Sequence, residues 1–299
     1  MLKHNLMYLR YFIALLLLAL VAASCNRSDR FTAYFGRTRP PAGEVLRYVS
    51  GDEPESLDPQ VSTGQPEGRI YMALYEGLTV YGPKDMQPVP GVAERWDINH
   101  DSTEFTFHLR RNARWSNGDP LTAKDFVYSL RRGLAPETAS RFAFLAYYVK
   151  YAQPYNEGAV FVRDPQTGQF LLRKDFEPGA ATPEAQAEIS GTQFHQFINA
   201  PERLTLPGDE KGRAKVLAAD PKLQAALAGK EFVKVAAEDV GIEAVDDYTL
   251  RYTLVQPASF FLGLTSNQFF SPVPRAAIEQ YGDQWAQPGH IVTCGPFKL

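Results

Sequence analysis

The 299 residues suffice for one large domain or two ordinary ones, and 44% apolar against 22% charged side chains permits a sizeable core. With 34 acidic and 31 basic side chains, the chain carries no broad positive field, which excludes nucleic acid and an anionic membrane surface as electrostatic partners. The 22 prolines and 22 glycines imply many turns and few long helices.

The chain begins with Lys3 and Arg10, then a short uncharged apolar run over 11–22, then Ala22, Ala23 and Ser24 leading into Cys25. A basic start, a short apolar run and small residues before a cleavage point describe an export signal over 1–24. The run is too short for a spanning helix, which needs about 20 residues. The small residues before Cys25 resemble a bacterial lipobox, which would make Cys25 the site of lipidation and the new N-terminus. Ala22 stands where the lipobox usually has Leu. Cys294 is then the one remaining thiol, so stability must come from the core rather than from cross-links.

Residues 25–44 are polar and contain Pro40 and Pro41, as expected of a tether. A short strand is expected at 45–49. The stretch 50–66 is rich in turn residues, and Glu53, Glu55 and Asp58 within it read as a solvated turn with Asp58 capping the chain before Pro59. Ile70, Ala73 and Leu74 have helical spacing, which predicts a helix over 69–76 closed by Gly77. Phe105, Phe107 and Leu109 alternate with Thr106, His108 and Arg110, a half-buried strand over 103–110 with His108 on its solvent face. Asn117 and Gly118 mark a turn. Thr122 with Asp125 three residues on forms a capping box, and Phe126, Leu130 and Leu134 follow on one helical face.

Residues 153–235 are rich in Ala, Glu, Lys, Gln and Pro. Helices are expected at 183–199 and 208–228, with a hairpin between 159–162 and 169–173 around Asp164, Pro165 and Gly168. Tyr248, Leu250, Tyr252 and Leu254 alternate as a second strand, and 275–281 reads as a short helix closed by Gly282.

The sequence lacks a nucleophile elbow, a zincin motif, a phosphate-binding loop and a dinucleotide fingerprint. His4, His100, His108, His195 and His290 have no metal-ligand spacing, and nothing near Cys294 in sequence activates it. An exported chain without catalytic signature points to binding rather than enzymatic work, with no cofactor and no metal.

Four segments in register resemble the bacterial extracellular solute-binding proteins of the oligopeptide-binding family. They are Ser56-Leu57-Asp58-Pro59 followed by Leu74-Tyr75-Glu76-Gly77-Leu78; Pro90-Gly91-Val92-Ala93-Glu94-Arg95-Trp96; Phe105-Thr106-Phe107-His108-Leu109-Arg110 leading to Trp115-Ser116-Asn117-Gly118-Asp119-Pro120-Leu121-Thr122-Ala123-Lys124-Asp125-Phe126; and Ser271-Pro272-Val273-Pro274 with Gly295-Pro296-Phe297. Trp96 and Trp115 within them are expected as core aromatics.

The resemblance implies a mixed α/β, periplasmic-binding-protein-like fold of two lobes around a cleft, with an extra small domain. It places the first part of lobe one at 45–75, the small domain at 76–274 with an insertion at about 153–235, and the resumption of lobe one at 275–299. Family chains continue well past Gly295-Pro296-Phe297, so the sequence is expected to stop before the second lobe. The implied function is the substrate-binding component of an ABC importer, a monomer held at the membrane by lipid on Cys25. It would deliver oligopeptides to a permease and ATPase from the periplasm or cell surface. Dipeptides, nickel complexes, haem or sugars are other cargoes of the family, and a peptide-sensing lipoprotein without transport is a second class. Carried over by position, Thr63, Gly64 and Gln65 form a loop along the ligand, with Thr63 standing where the family has an acidic residue. Phe142 and Asn267 match positions facing the cleft.

Overall fold

The computed structural model describes residues 44–176 and 201–299. The leader, the greater part of the tether, Cys25 and the helix expected at 183–199 lie outside the described residues. Residues 44–50 form a unit separate from 51–299. No strand forms at 45–49, where Val45, Leu46, Tyr48 and Val49 are all exposed. A strand exists only by pairing its backbone with a neighbour, and no described strand supplies one.

In the larger unit, helix α1 (Gln65–Leu74) leads to strands β1 (Thr79–Tyr81), β2 (Pro88–Pro90), β3 (Ala93–Ile98) and β4 (Glu104–Leu109). Helix α2 (Ala123–Leu134) follows, and then strands β5 (Val160–Arg163) and β6 (Thr205–Leu206). Next come helices α3 (Glu210–Ala219) and α4 (Pro221–Ala226), strands β7 (Glu231–Lys234), β8 (Ile242–Asp246) and β9 (Thr249–Thr253), and helix α5 (Arg275–Tyr281).

The main sheet is antiparallel in the order β3-β4-β9-β8. The alternation expected at 103–110 is realised as β4, with Phe105, Phe107 and Leu109 all buried. Phe107 stands opposite Trp96 on one side and Leu250 on the other. Its ring meets Tyr252 edge-on at 5.9 Å, and Phe105 meets Phe261 at 5.2 Å. Trp115 is buried as expected, whereas Trp96, on edge strand β3, is only half-buried against this cluster. Helix α2 packs on the same core through Phe126, Leu130 and Leu134. Its start is held by the Asp125 carboxylate, which accepts from the Thr122 backbone N–H at 2.7 Å and hydroxyl at 2.9 Å.

Helix α1 differs from its expected bounds. Pro66 in its first turn moves the start forward to Gln65, and it ends at Leu74 with Tyr75 already extended (φ −128°, ψ 149°), so Gly77 does not close it. Its last carbonyls are capped from far along the chain: Leu74 O accepts from Cys294 N–H at 3.2 Å and Gly295 N–H at 2.8 Å, and Ala73 O accepts from Phe297 N–H at 3.0 Å. A Cβ at position 295 would fall 2.6 Å from the Leu74 carbonyl carbon, so only glycine fits there. This docking places Tyr71, Leu74 and Tyr75 in a second apolar cluster with Val273, Ala277 and Trp285. Helix α5 ends where expected, at Gly282.

The 159–235 stretch holds more sheet than its composition suggested. Strand β5 is central in the order β6-β5-β7, and its run of Val160, Phe161 and Val162 is buried on both faces. The expected hairpin closes only at its turn end, where Arg163 bridges Phe170, the Asp164 N–H donates to Gln169 O at 2.8 Å and the Leu171 N–H donates to Val162 O at 2.9 Å. β6 occupies the rest of that edge, and β7 pairs along the opposite one, pinned by the ion pairs Arg163–Glu231 and Lys230–Asp164. The helix expected at 208–228 is two helices, broken where Asp220 caps the start of α4 and Pro221 cannot continue α3. Val160, Val162, Leu204, Leu206, Leu223 and Leu227 form a core of this stretch's own.

Candidate ligand-facing site

The loop Thr63–Gly64–Gln65 is the entrance to α1. Gly64 is its N-cap in extended conformation (φ −76°, ψ 153°), Thr63 and Gln65 are exposed, and Gly64 is half-buried. The chain before it is tightly tied. The Asp58 carboxylate accepts the Gln60 N–H at 2.9 Å, the expected local turn, and the Tyr71 hydroxyl donates to Ser56 O at 2.8 Å and Asp58 O at 3.2 Å.

Asp58 is not solvated, contrary to the reading of 53–58 as a surface turn. It is 4% exposed, and its second oxygen takes Arg132 Nη2 at 2.7 Å. Arg132 also donates from Nη1 to Gln60 Oε1 at 2.7 Å and lies 5.9 Å over the Trp285 ring. Gln60 in turn donates to Ser129 O at 2.6 Å. A charge this deep is tolerated because it is paired and hydrogen-bonded on both oxygens. Arg132 and Gln60 had no local signal in the sequence, since their partners lie about seventy residues apart.

The same segment collects Phe142. Ser140 donates its hydroxyl to Gln60 O and accepts the Phe142 N–H at 3.2 Å, which ties the half-buried Phe142 to the chain just before the Thr63–Gly64–Gln65 loop. Asn267 sits half-buried at the start of the turn Gln268–Phe270, its side-chain oxygen accepting the Phe269 N–H at 3.0 Å. That turn packs against α1, and Phe269 also lines the site where Gly133 meets Gln60. The Tyr81 phenol, raised by burial, is a hydrogen-bonding neighbour of Asn267. Thr63, Gly64, Gln65, Phe142 and Asn267 thus belong to segments that converge around 58–62 and the start of α1.

Burial, with the Asp58 and Glu67 carboxylates adding repulsion, pushes the Tyr71 phenol far above its ordinary range, so it stays a neutral hydrogen-bond donor. Cys294 donates weakly to Glu76 O at 3.8 Å, and burial pushes its thiol up to about 12, as befits a packed side chain rather than a nucleophile. His108, half-buried rather than fully on the surface, meets Asp97 at 2.7 Å. Among the described residues, no group of three or more His, Cys, Asp or Glu side chains could hold a metal ion. A cavity of about 590 Å³ lies elsewhere, between 147–159 and 202–209. Charged groups lining it are already engaged: Arg173 with Glu202 at 3.1 Å, Glu157 with Gln153 at 2.8 Å, Asp209 with the Gly212 N–H at 2.7 Å.

The family model of the bacterial extracellular solute-binding proteins, family 5, middle region, matches residues 87–299. The chain belongs to this family. Among family 5 relatives, the periplasmic oligopeptide-binding protein OppA of Escherichia coli (strain K12) is 34% identical over 256 residues, covering 86% of this chain and 33% of the relative. The periplasmic murein peptide-binding protein MppA of the same organism is 30% identical over 281 residues, covering 94% of this chain and 38% of the relative. The structure of Haemophilus influenzae OppA in complex with the peptide RPPGFSPFR superposes with a TM-score of 0.54 at 26% identity, covering 84% of this chain and 34% of that one. The fold is accordingly that of periplasmic binding proteins, as expected from the sequence, and the chain spans about a third of the length of these relatives.

Proposed function

We propose that this chain is part of the solute-binding component of an ABC importer that captures oligopeptides between two lobes and hands them to a membrane permease with its ATPase. The observation that carries the reading is the buried Asp58–Arg132–Gln60 network, which fixes the segment leading into the exposed loop of Thr63, Gly64 and Gln65. A family 5 protein with relatives named for oligopeptide and murein peptide binding supports peptide as the cargo.

Peptides share a backbone and differ in side chains. A cleft that pairs with the ligand main chain gains affinity independent of sequence, and hydrated pockets accept varied side chains through adaptable water. A rigidly held loop serves such pairing because little ordering is left to be done on binding. Closure about a hinge buries the ligand and reports occupancy to the permease. In this reading Phe142 and Asn267 border the same cleft. The domains fall at 45–75, 76–274 and 275–299 with the insertion at about 153–235, and lipid on Cys25 holds the exported protein at the membrane. The ligand is captured and released unchanged.

Native mass spectrometry of freshly purified full-length protein tests this. The expected spectrum shows short, intact peptides of mixed sequence. A uniform sugar or metal adduct, or peptides cleaved on incubation, overturns the reading.

A further inference from the structure

Strand β1 places Thr79 and Tyr81 on one face, because side chains two apart in a strand point the same way. Thr79 is buried and holds the turn before Asn267: its hydroxyl meets the Thr265 hydroxyl at 2.8 Å and the Ser266 hydroxyl at 2.7 Å. Tyr81 follows on that face, opposite Pro88 in the register, and its phenol bonds to the Asn267 side chain. The turn that Asn267 opens packs on α1, where a Cβ at Gly68 would stand 3.9 Å from Gln268 Oε1. Tyr81 is thereby linked through 267–268 to the helix that the Thr63–Gly64–Gln65 loop enters.

The direction of the Tyr81–Asn267 bond follows from its neighbours. The Asn267 oxygen accepts the Phe269 N–H at 3.0 Å, which fixes that end of the amide and leaves Nδ2 for Tyr81. Burial raises the Tyr81 phenol while the bond from Asn267 lowers it, and only a donor to the phenol oxygen has that effect. The phenol oxygen therefore receives a proton from Asn267 and keeps its own to give. Among the described residues none accepts that proton, and Tyr81 is 38% exposed. The chain of bonds from Phe269 through Asn267 to Tyr81 thus ends in an oriented, neutral donor at the surface. Such a donor suits a carbonyl oxygen, and little ordering is left to be done when one arrives.

We propose that Tyr81 is a further ligand-contacting residue, which donates its hydroxyl to a main-chain carbonyl of the bound peptide, and that Asn267 is the positioning residue that aims it. The inference rests on the peptide-binding reading above. It gives Asn267 a role through Tyr81 rather than by touching the ligand. A main-chain carbonyl recurs at every residue of a peptide, so this contact carries no preference among side chains.

Titration calorimetry on the full-length protein, well below its thermal midpoint, tests it with three tripeptides that differ only in a central alanine, phenylalanine or glutamate. Tyr81→Phe, which keeps the ring and removes the hydroxyl, should weaken all three by about fivefold, the worth of one neutral hydrogen bond. Asn267→Ser keeps an oxygen for the Phe269 N–H but cannot reach Tyr81, and it should weaken binding in the wild-type background. In the Tyr81→Phe background the same change should have no further effect, because the donor it aims is already gone. A purely structural role of either side chain would lower the thermal midpoint and leave the Kd of the folded protein as it was. Unchanged affinity in Tyr81→Phe, a loss confined to one peptide, or full additivity of the two changes overturns the inference while leaving peptide capture intact. Failure of every peptide to bind wild-type protein overturns the peptide reading itself, and this inference with it.

Discussion

Replacing Arg132 with alanine is the sharpest perturbation of the frame behind the proposed ligand loop. Its guanidinium makes two bonds of 2.7 Å, to Asp58 Oδ2 and Gln60 Oε1, and the two ionic side chains are only 19% and 6% exposed. Each hydrogen bond to a charged group contributes about 1.5–3 kcal/mol, and the deletion also strands the Asp58 carboxylate away from water. Breaking a buried ion pair from one side typically costs about 3–5 kcal/mol, and that is the loss expected for Arg132→Ala. Removing both charges together, Asp58→Asn with Arg132→Met, leaves no orphaned ion, so the double variant should be more stable than Arg132→Ala alone. Asn at position 58 retains an acceptor for the Gln60 N–H. Urea unfolding followed by tryptophan fluorescence is the assay, since Trp285 lies under the guanidinium. The shift in midpoint multiplied by the slope yields the free energy. A loss below about 1 kcal/mol for Arg132→Ala would place the pair with solvent-screened surface bridges and refute the reasoning.

Gly295→Ala should destabilise by about 1–3 kcal/mol, the usual cost of overpacking, because its Cβ would fall 2.6 Å from backbone atoms of Leu74 and Tyr75. An unchanged thermal midpoint would show that the 294–297 segment does not cap α1. Cys294 should resist thiol reagents at pH 8 in the native state and react once unfolded, because burial raises its thiol from 9.0 to about 12. The unfolded thiol releases its proton first. Its contribution to stability is therefore complete below pH 9.0 and falls away between there and about 12, which a Cys294→Ala comparison of stability against pH would isolate.

The readable parts of the fold were periodic and local. β4 and β9 declared themselves by alternation, and α2 by a box spanning Thr122 and Asp125 with an apolar face of Phe126, Leu130 and Leu134. The family was legible too, because Asp58-Pro59, Asn117-Gly118 and Gly295-Pro296 recur in fixed order along the chain. α1 was misjudged at its C-terminus because its carbonyls are satisfied by amides more than two hundred residues away, which no local cap rule registers. The 159–235 stretch was less legible because β5 takes its main partners, β6 and β7, from beyond residue 204, while the nearer 169–173 joins it only at the turn end.

The sequence alone therefore determined β4, β9, α2 and α5, and which family the chain resembles, since side-chain period and turn chemistry act between neighbours. Tertiary structure decided the rest: that Asp58 is a buried ion held by Arg132, that Gly295 closes α1, and that Glu67 lies beneath Gly64. Burial and charge pairing depend on which distant atoms replace water around a group, and only the folded chain specifies those.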